Sequence, residues 1–339
     1  MSDRDPAANE RYRILGHLSS GGMGEVFLAE MRAFAEWGYG TRKVVIKRVK
    51  DSPRERDDVV RHFLAEVAIS WRLEHQNIVR VVDFGTMDGL PFVAMEFVDG
   101  LSLWDLSRVP TPVVPEFPTA LKLHVLLEAM RGLDYAHRRT DDEGRPLHLV
   151  HRDLNPANVL ISFEGEVKLA DFGLSVWRGR DVSTEANVIK GRLDMVSPEQ
   201  IEFEPVDQRT DIYQMGLMIY RLLTGIHPFP THQDLSYFDD VLRGVPESSF
   251  EHPAIRGLDL AELLREMMAV DPADRLPSIR DAILRVERVL ADRGWFPGAT
   301  ALADLLRSLR AADAASSANF TPRKTDLKFD FEFDSKLIG

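Results

Sequence analysis

Short apolar runs separated by glycine and polar turns fill the first hundred residues, and longer amphipathic stretches fill most of the rest. Tyr12-Arg13-Ile14-Leu15 and Val26-Phe27-Leu28-Ala29 read as two strands joined by Ser19-Ser20-Gly21-Gly22-Met23-Gly24, a turn of small residues. A third strand is predicted over residues 43–49, where β-branched side chains dominate. Phe63, Leu64, Val67 and Trp71 recur at helical spacing, which predicts an amphipathic helix over residues 60–73. Ile78-Val79-Arg80-Val81-Val82 and Phe92-Val93-Ala94-Met95 add two strands, and Asp99-Gly100 marks a break. Helical periodicity then governs about 121–138, 208–223 and 258–268, with two last helices over about 279–292 and 300–311. Val159-Leu160-Ile161 and Val167-Lys168-Leu169 predict a hairpin turned at Glu164-Gly165. Four prolines between Pro110 and Pro118 mark a loop. A mostly β unit followed by a mostly α unit is an α+β, two-lobed arrangement. The expected boundaries are an arm at 1–10, a β-rich lobe at 11–98, a helical lobe at 99–290, a helical extension at 291–311 and a flexible tail at 312–339.

Composition narrows the chemistry. The 339 residues suit about two domains, and 44% hydrophobic with 28% charged residues is ordinary for a globular chain. With no cysteine, disulfides, thiolate metal sites and thiol nucleophiles are excluded together. Lys+Arg is 42 and Asp+Glu is 54, a net charge of −12, which disfavours nucleic acid and anionic membrane as partners. The polar start lacks the apolar core of a signal peptide, and no apolar run approaches the ~20 residues needed to cross a bilayer. The expectation is a cytoplasmic protein without a membrane span.

Candidate chemistry comes from local words. Ser19-x-Gly21-x-x-Gly24-x-Val26 lies between two strands, where glycines let the backbone approach a phosphate; an ordinary hairpin turn accounts for it equally well. The dinucleotide-binding version needs a helix after the glycines, and here a strand follows. Strand alternation puts Lys47 on one face with Val45. A lysine there needs an anionic partner, and Glu66 on the next helix is the candidate. The strongest run is His151-Arg152-Asp153-Leu154-Asn155-Pro156-Ala157-Asn158, followed after the hairpin by Asp171-Phe172-Gly173. Asp153 has the chemistry to accept a proton from an attacking hydroxyl. Asn158 and Asp171 offer hard oxygen ligands of the type Mg²⁺ takes beside phosphate oxygens.

With these motifs in order, residues of about 11–290 resemble the protein-kinase family. Val44-Val45-Ile46-Lys47 resembles its strand lysine motif, and Glu66 falls where its ion-pair glutamate belongs. His75-Gln76-Asn77-Ile78-Val79 is similar to the turn after that helix, and Met95-Glu96-Phe97-Val98 to the gatekeeper and hinge. Ser197-Pro198-Glu199 resembles the end of the activation segment. Asp207-x-Arg209-Thr210-Asp211 is similar to the start of a central helix that buries an aspartate, and Arg275 occupies the place of the arginine that pairs with Glu199. The wording is most similar to bacterial serine/threonine kinases. The resemblance implies an ATP- and Mg²⁺-dependent protein kinase acting on serine or threonine hydroxyls. It implies a loop of Ser19, Gly21, Gly22 and Gly24 over the phosphates, and Lys47, held by Glu66, on the α- and β-phosphates. It implies Val26, Val45, Met95 and Leu160 around the adenine, with the Glu96 and Val98 backbone meeting it. Asn158 and Asp171 would hold Mg²⁺, and Asp153 would orient the substrate hydroxyl and take its proton. The implied partners are MgATP and a protein substrate. The alternative is a pseudokinase, the same fold serving as a nucleotide-binding scaffold.

Some positions depart from the family's pattern. Ser19 replaces the first loop glycine, Ser70 takes a usually apolar place, and Met195 stands where tyrosine is usual. Asn155 stands where serine/threonine kinases carry a lysine, and Arg192 where they carry a threonine; the two positions are neighbours in the family, so Arg192 is expected to supply the missing cation. Arg152 before Asp153 implies that a phosphate on Ser183 or Thr184 orders the activation loop. Phe329, Phe331 and Phe333 alternate with Asp330, Glu332 and Asp334, the period of a strand with one apolar face, so the tail is expected to dock on a sheet edge or in a groove.

Overall fold

The computed structural model describes residues 11–20, 24–32, 40–50, 56–107, 117–172, 193–229 and 236–316. They divide into two compact units. One holds the chain through Arg72 together with Arg80–Phe97; the other holds Leu73–Val79 and the chain from Val98 onward.

The first unit is an antiparallel sheet of β1 (Tyr12–Ser20), β2 (Gly24–Arg32), β3 (Thr41–Val49), β4 (Val81–Met87) and β5 (Leu90–Glu96), in the order β1-β2-β3-β5-β4. Its two faces carry different cores. Val44 and Ile46 of β3 join Tyr12, Ala29, Met87, Phe92 and Ala94 on one side. Val49 joins Val81 and Val93 on the other, where Phe63 and Val67 of α1 (Arg56–Ser70) cover them. The sheet coils strongly: the Tyr12 hydroxyl, on one edge strand, donates to Asp83 on the other, and Arg11 pairs with the same carboxylate at 3.2 Å. Burial and the hydrogen bond to Asp83 together push the Tyr12 phenol well above its usual range.

The second unit is helical around one large core. Its main elements are α2 (Leu103–Ser107), α3 (Thr119–His137), α4 (Pro198–Ile201), α5 (Gln208–Thr224), α6 (Ser236–Arg243), α7 (Glu247–Phe250), α8 (Pro253–Arg256), α9 (Ala261–Met267), α10 (Ile279–Asp292) and α11 (Ala299–Ser316). Helix α5 is buried nearly all round from Thr210 to Leu223, polar residues of its first turns included, which makes it the centre of the unit. Asp207 caps its N-terminus by accepting from the Arg209 N–H, and Gly225 ends it at φ +75°. A small sheet of β6 (Gly100–Ser102), β7 (Val159–Ser162) and β8 (Val167–Leu169) sits on α3.

Three differences from the sequence reading have physical causes. Ile78 and Val79 do not continue β4: Ile78 bridges Leu169, and the Val79 N–H donates to the Leu169 carbonyl at 2.8 Å, so they belong to the second unit. On α1, Phe63 and Val67 are buried, but Leu64 points to solvent, and Trp71 lies beyond the helix end, 53% exposed and stacked edge-on against Phe84. Helix α11 runs to Ser316, five residues past the expected end, and Leu302, Ala303, Leu306 and Leu309 bury its inner face in the main core.

Candidate active site

The 151–158 segment is held by a carboxylate from beneath. Asp211, fully buried in the first turn of α5, accepts from the backbone N–H groups of His151 at 2.8 Å and Arg152 at 2.7 Å, and from His137 Nε2 at 2.8 Å. The open end of the helix favours an anion there. These bonds hold Arg152 at φ +65°, a conformation unfavourable for a non-glycine residue. The Arg152 carbonyl is tied in turn by the amides of Gln200 at 2.9 Å and Gln214 at 3.1 Å. His151 sits fully buried against Phe172, its Nε2 3.0 Å from the Ala170 carbonyl. Burial holds its imidazole below the usual histidine range, so the ring is neutral and Nε2 donates.

Asp153 is buried just above this anchor. Its carbonyl accepts two side-chain amides, from Asn158 at 2.8 Å and Asn155 at 3.0 Å. Asn155 Oδ1 accepts from the Ala157 N–H at 2.9 Å, which caps the 3₁₀ turn Pro156–Asn158. The hairpin then returns the chain towards Asp171. Val159 pairs with Leu169 and the Ala170 N–H donates to the Asn158 carbonyl at 2.9 Å, so Ala170 lies opposite Asn158 and Asp171 is the next residue along the chain. Asp171 is also held at positive φ, +58°. Because the Asn158 amide nitrogen is committed to Asp153, its Oδ1 is left as the acceptor. Among the described residues no three His, Asp or Glu side chains converge on a metal position. An amide oxygen and a carboxylate, the donors Asn158 and Asp171 offer, are types that Mg²⁺ takes when its other ligands come from phosphate and water.

In the first unit Lys47 is buried on β3, and its register places it opposite Val26 and Val93. Val45 pairs with Met95, so Val26, Val45, Lys47 and Met95 share the face of the sheet that α1 covers. Gly24 begins β2 where a Cβ would collide with the Arg48 carbonyl, so no other residue fits without backbone movement. Ser19 pairs with Val26 on β1. Glu96 ends β5, exchanging bonds with Arg80: each backbone N–H of the two donates to an oxygen of the other at 2.9 Å. Leu160 and Val98 belong to the second unit and are half-buried. Glu66 lies on α1, with its side chain outside the described residues, as are Gly21, Gly22, Gly173, Ser183, Thr184 and Arg192.

The segment after residue 192 is locked by a buried ion pair. The Arg275 fork grips Glu199 with two bonds of 2.8 Å, and its other N–H groups go to the carbonyls of Ala269, Val270 and Arg209. The guanidinium also lies over the Tyr213 ring at 4.8 Å. Burial pushes the Glu199 carboxyl up, but Arg275 and the Thr210 hydroxyl more than offset it, and the group sits below the ordinary carboxylate range. Nearer the loop, Asp194 pairs with Arg221 at 2.5 Å and its carbonyl meets His227 Nε2 at 2.8 Å.

The sequence pattern of the protein kinase domain matches residues 12–285. The chain belongs to the protein kinase family. Tyrosine-protein kinase MasK of Myxococcus xanthus is 32% identical over 296 residues, 87% of this chain and 45% of that protein. Serine/threonine-protein kinase PrkC of Bacillus subtilis is 28% identical over 80% of this chain and 39% of its own length. PknB of Mycobacterium tuberculosis is 29% identical over 94% of this chain and 48% of its own length. The chain thus spans less than half of each of these relatives. The crystal structure of the Mycobacterium tuberculosis PknI kinase domain matches with a TM-score of 0.57 at 27% identity, covering 82% of this chain and 96% of that one. The family match ends inside α10, so α11, packed against the β7–β8 turn, lies outside the matched region. By sequence alone Asn155 stands only where a lysine is expected. Its role as the cap is legible in Asn-Pro, a common way to open a helical turn, whereas the tie to Asp153 has no local signal.

Proposed function

We propose that this chain is a protein kinase that transfers the γ-phosphate of MgATP to a hydroxyl of a protein substrate. The observation that carries this reading is the bonded segment from His151 to Asn158, which holds Asp153 and Asn158 on one loop, with Asp171 following the hairpin strand that pairs back beside it. When bound, Mg²⁺ would neutralise charge on the phosphates; Asn158 and Asp171 are the residues that would hold it. Asp153 would orient the substrate hydroxyl and take its proton, and the strained Arg152 backbone fixes its direction. Lys47, with Glu66 as its partner, would contact the α- and β-phosphates. The loop of Ser19, Gly21, Gly22 and Gly24 would cover the phosphates, and Val26, Val45, Met95 and Leu160 would flank the adenine.

Serine and threonine are the proposed acceptors, in line with the names of PrkC and PknB. Tyrosine is the second reading, because MasK is named a tyrosine kinase and Asn155 removes the lysine expected of a serine/threonine enzyme. Arg192 would restore that cation, and phosphate on Ser183 or Thr184 would order the loop. No observation favours the scaffold reading. Among the described residues no helix is long and apolar enough to cross a membrane, and the cytoplasm is the proposed location. The Phe329–Phe331–Phe333 segment lies outside the described residues and is proposed to dock a partner. The test is transfer of labelled γ-phosphate to a generic protein substrate, followed by phosphoamino-acid analysis. Labelled serine or threonine is expected. Labelled tyrosine alone would overturn the specificity, and no transfer would overturn the kinase reading.

A further inference from the structure

Asn155 is almost fully buried, and its polar atoms are spent inside the loop that carries Asp153. Its Oδ1 accepts from the Ala157 N–H at 2.9 Å; its Nδ2 donates to the Asp153 carbonyl at 3.0 Å and approaches the Asp153 carboxylate at 3.5 Å. The Asn158 amide, at 2.8 Å, fills the remaining lone pair of the same carbonyl. The two asparagines are themselves joined, because the Asn158 N–H donates to the Asn155 carbonyl at 3.0 Å. A closed ring of bonds therefore runs from Asp153 through Asn155 and the 3₁₀ turn to Asn158 and back.

Capping alone does not need this residue. Serine or aspartate caps such a turn as well as asparagine does. What asparagine adds is a donor on an arm long enough to reach Asp153 while its oxygen caps. Lysine has no acceptor, so it would leave the Ala157 N–H without its side-chain partner. We propose that Asn155 is a positioning residue: in this chain the place of the family's lysine serves to fix Asp153 through a side-chain amide rather than to bring a cation to the phosphate. The inference rests on the kinase reading above.

The test compares Asn155→Ser and Asn155→Ala in the full chain, measuring kcat, KM for ATP and the melting temperature. Serine keeps an oxygen for the Ala157 N–H but is too short to hold Asp153; alanine loses both. A positioning role predicts that both variants lose kcat by roughly 10–100-fold with KM for ATP within about twofold of the parent. It also predicts that the serine variant melts close to the parent while the alanine variant melts lower by the few degrees that a lost cap of about 1 kcal/mol gives. A serine variant with kcat within about twofold of the parent would show that Asn155 is a cap only and overturn the inference. A parent chain without any transfer would instead overturn the kinase reading, and the inference with it.

Discussion

Replacing Arg275 with methionine should strip the second unit of its most heavily bonded buried ion. In the folded chain its guanidinium makes two 2.8 Å bonds to Glu199 and three more to backbone carbonyls, and neither partner is appreciably exposed. Methionine fills the volume and covers the Tyr213 ring, so the loss is electrostatic: Glu199 keeps the Thr210 hydroxyl at 2.6 Å but loses the guanidinium that pairs with it. Removing one member of such a pair costs about 3–5 kcal/mol. At roughly 2–4 °C per kcal/mol for a domain of this size, the melting temperature should fall by about 6–20 °C. Adding Glu199→Leu removes the stranded charge and should recover part of the loss, the remainder being the three carbonyls left without their donor. The pH dependence has a fixed sign. The folded Glu199 carboxyl lies below its ordinary value of 4.5, so the pair contributes in full above that value and is lost as pH falls through the folded one. Calorimetry at pH 7.5 measures all three proteins. A fall of less than about 3 °C for Arg275→Met, or a double variant less stable than the single, would refute the reasoning.

Leu306→Ala should cost about 2–5 kcal/mol by calorimetry or urea titration, because Leu306 is fully buried in the core. Gly165→Ala should lower the melting temperature as well, since Gly165 holds φ +84° and its added Cβ would strike the Ala299 carbonyl where α11 meets the β7–β8 turn. If both variants match the parent, α11 is not part of the unit's stability. Stability should also fall as pH drops below about 6.5. Burial lowers the affinity of His75, His124 and His151 for protons in the folded chain, so the unfolded chain binds more protons there. A melting temperature that rises from pH 7 to pH 5.5 would contradict this.

The parts of the site legible in the sequence are those encoded in short contiguous words. Lys47 declares itself on a β-branched strand, and Asp153, Asn158 and Asp171 stand at fixed spacing around a predictable hairpin. What escaped depends on bonds between distant segments. Ile78 and Val79 look like the start of a strand, yet their partner is Leu169, some ninety positions away. Arg152 gives no local sign of its positive φ; the conformation is imposed by Asp211, whose depth in α5 no local pattern reveals. Trp71 fits the helical stripe by spacing and is exposed because α1 ends one residue before it. Asn155 reads as the loss of a charge until its three bonds are seen.

The measurement that bears most directly on the kinase account is transfer of labelled γ-phosphate from MgATP by the parent chain beside Asp153→Asn. Asparagine preserves the shape of the buried side chain and removes its capacity to take a proton. The account predicts measurable transfer by the parent and a loss of roughly 10²–10⁴-fold in kcat for the variant, with its melting temperature little changed. A parent that transfers nothing, or a variant that turns over at the parent's rate, would contradict it.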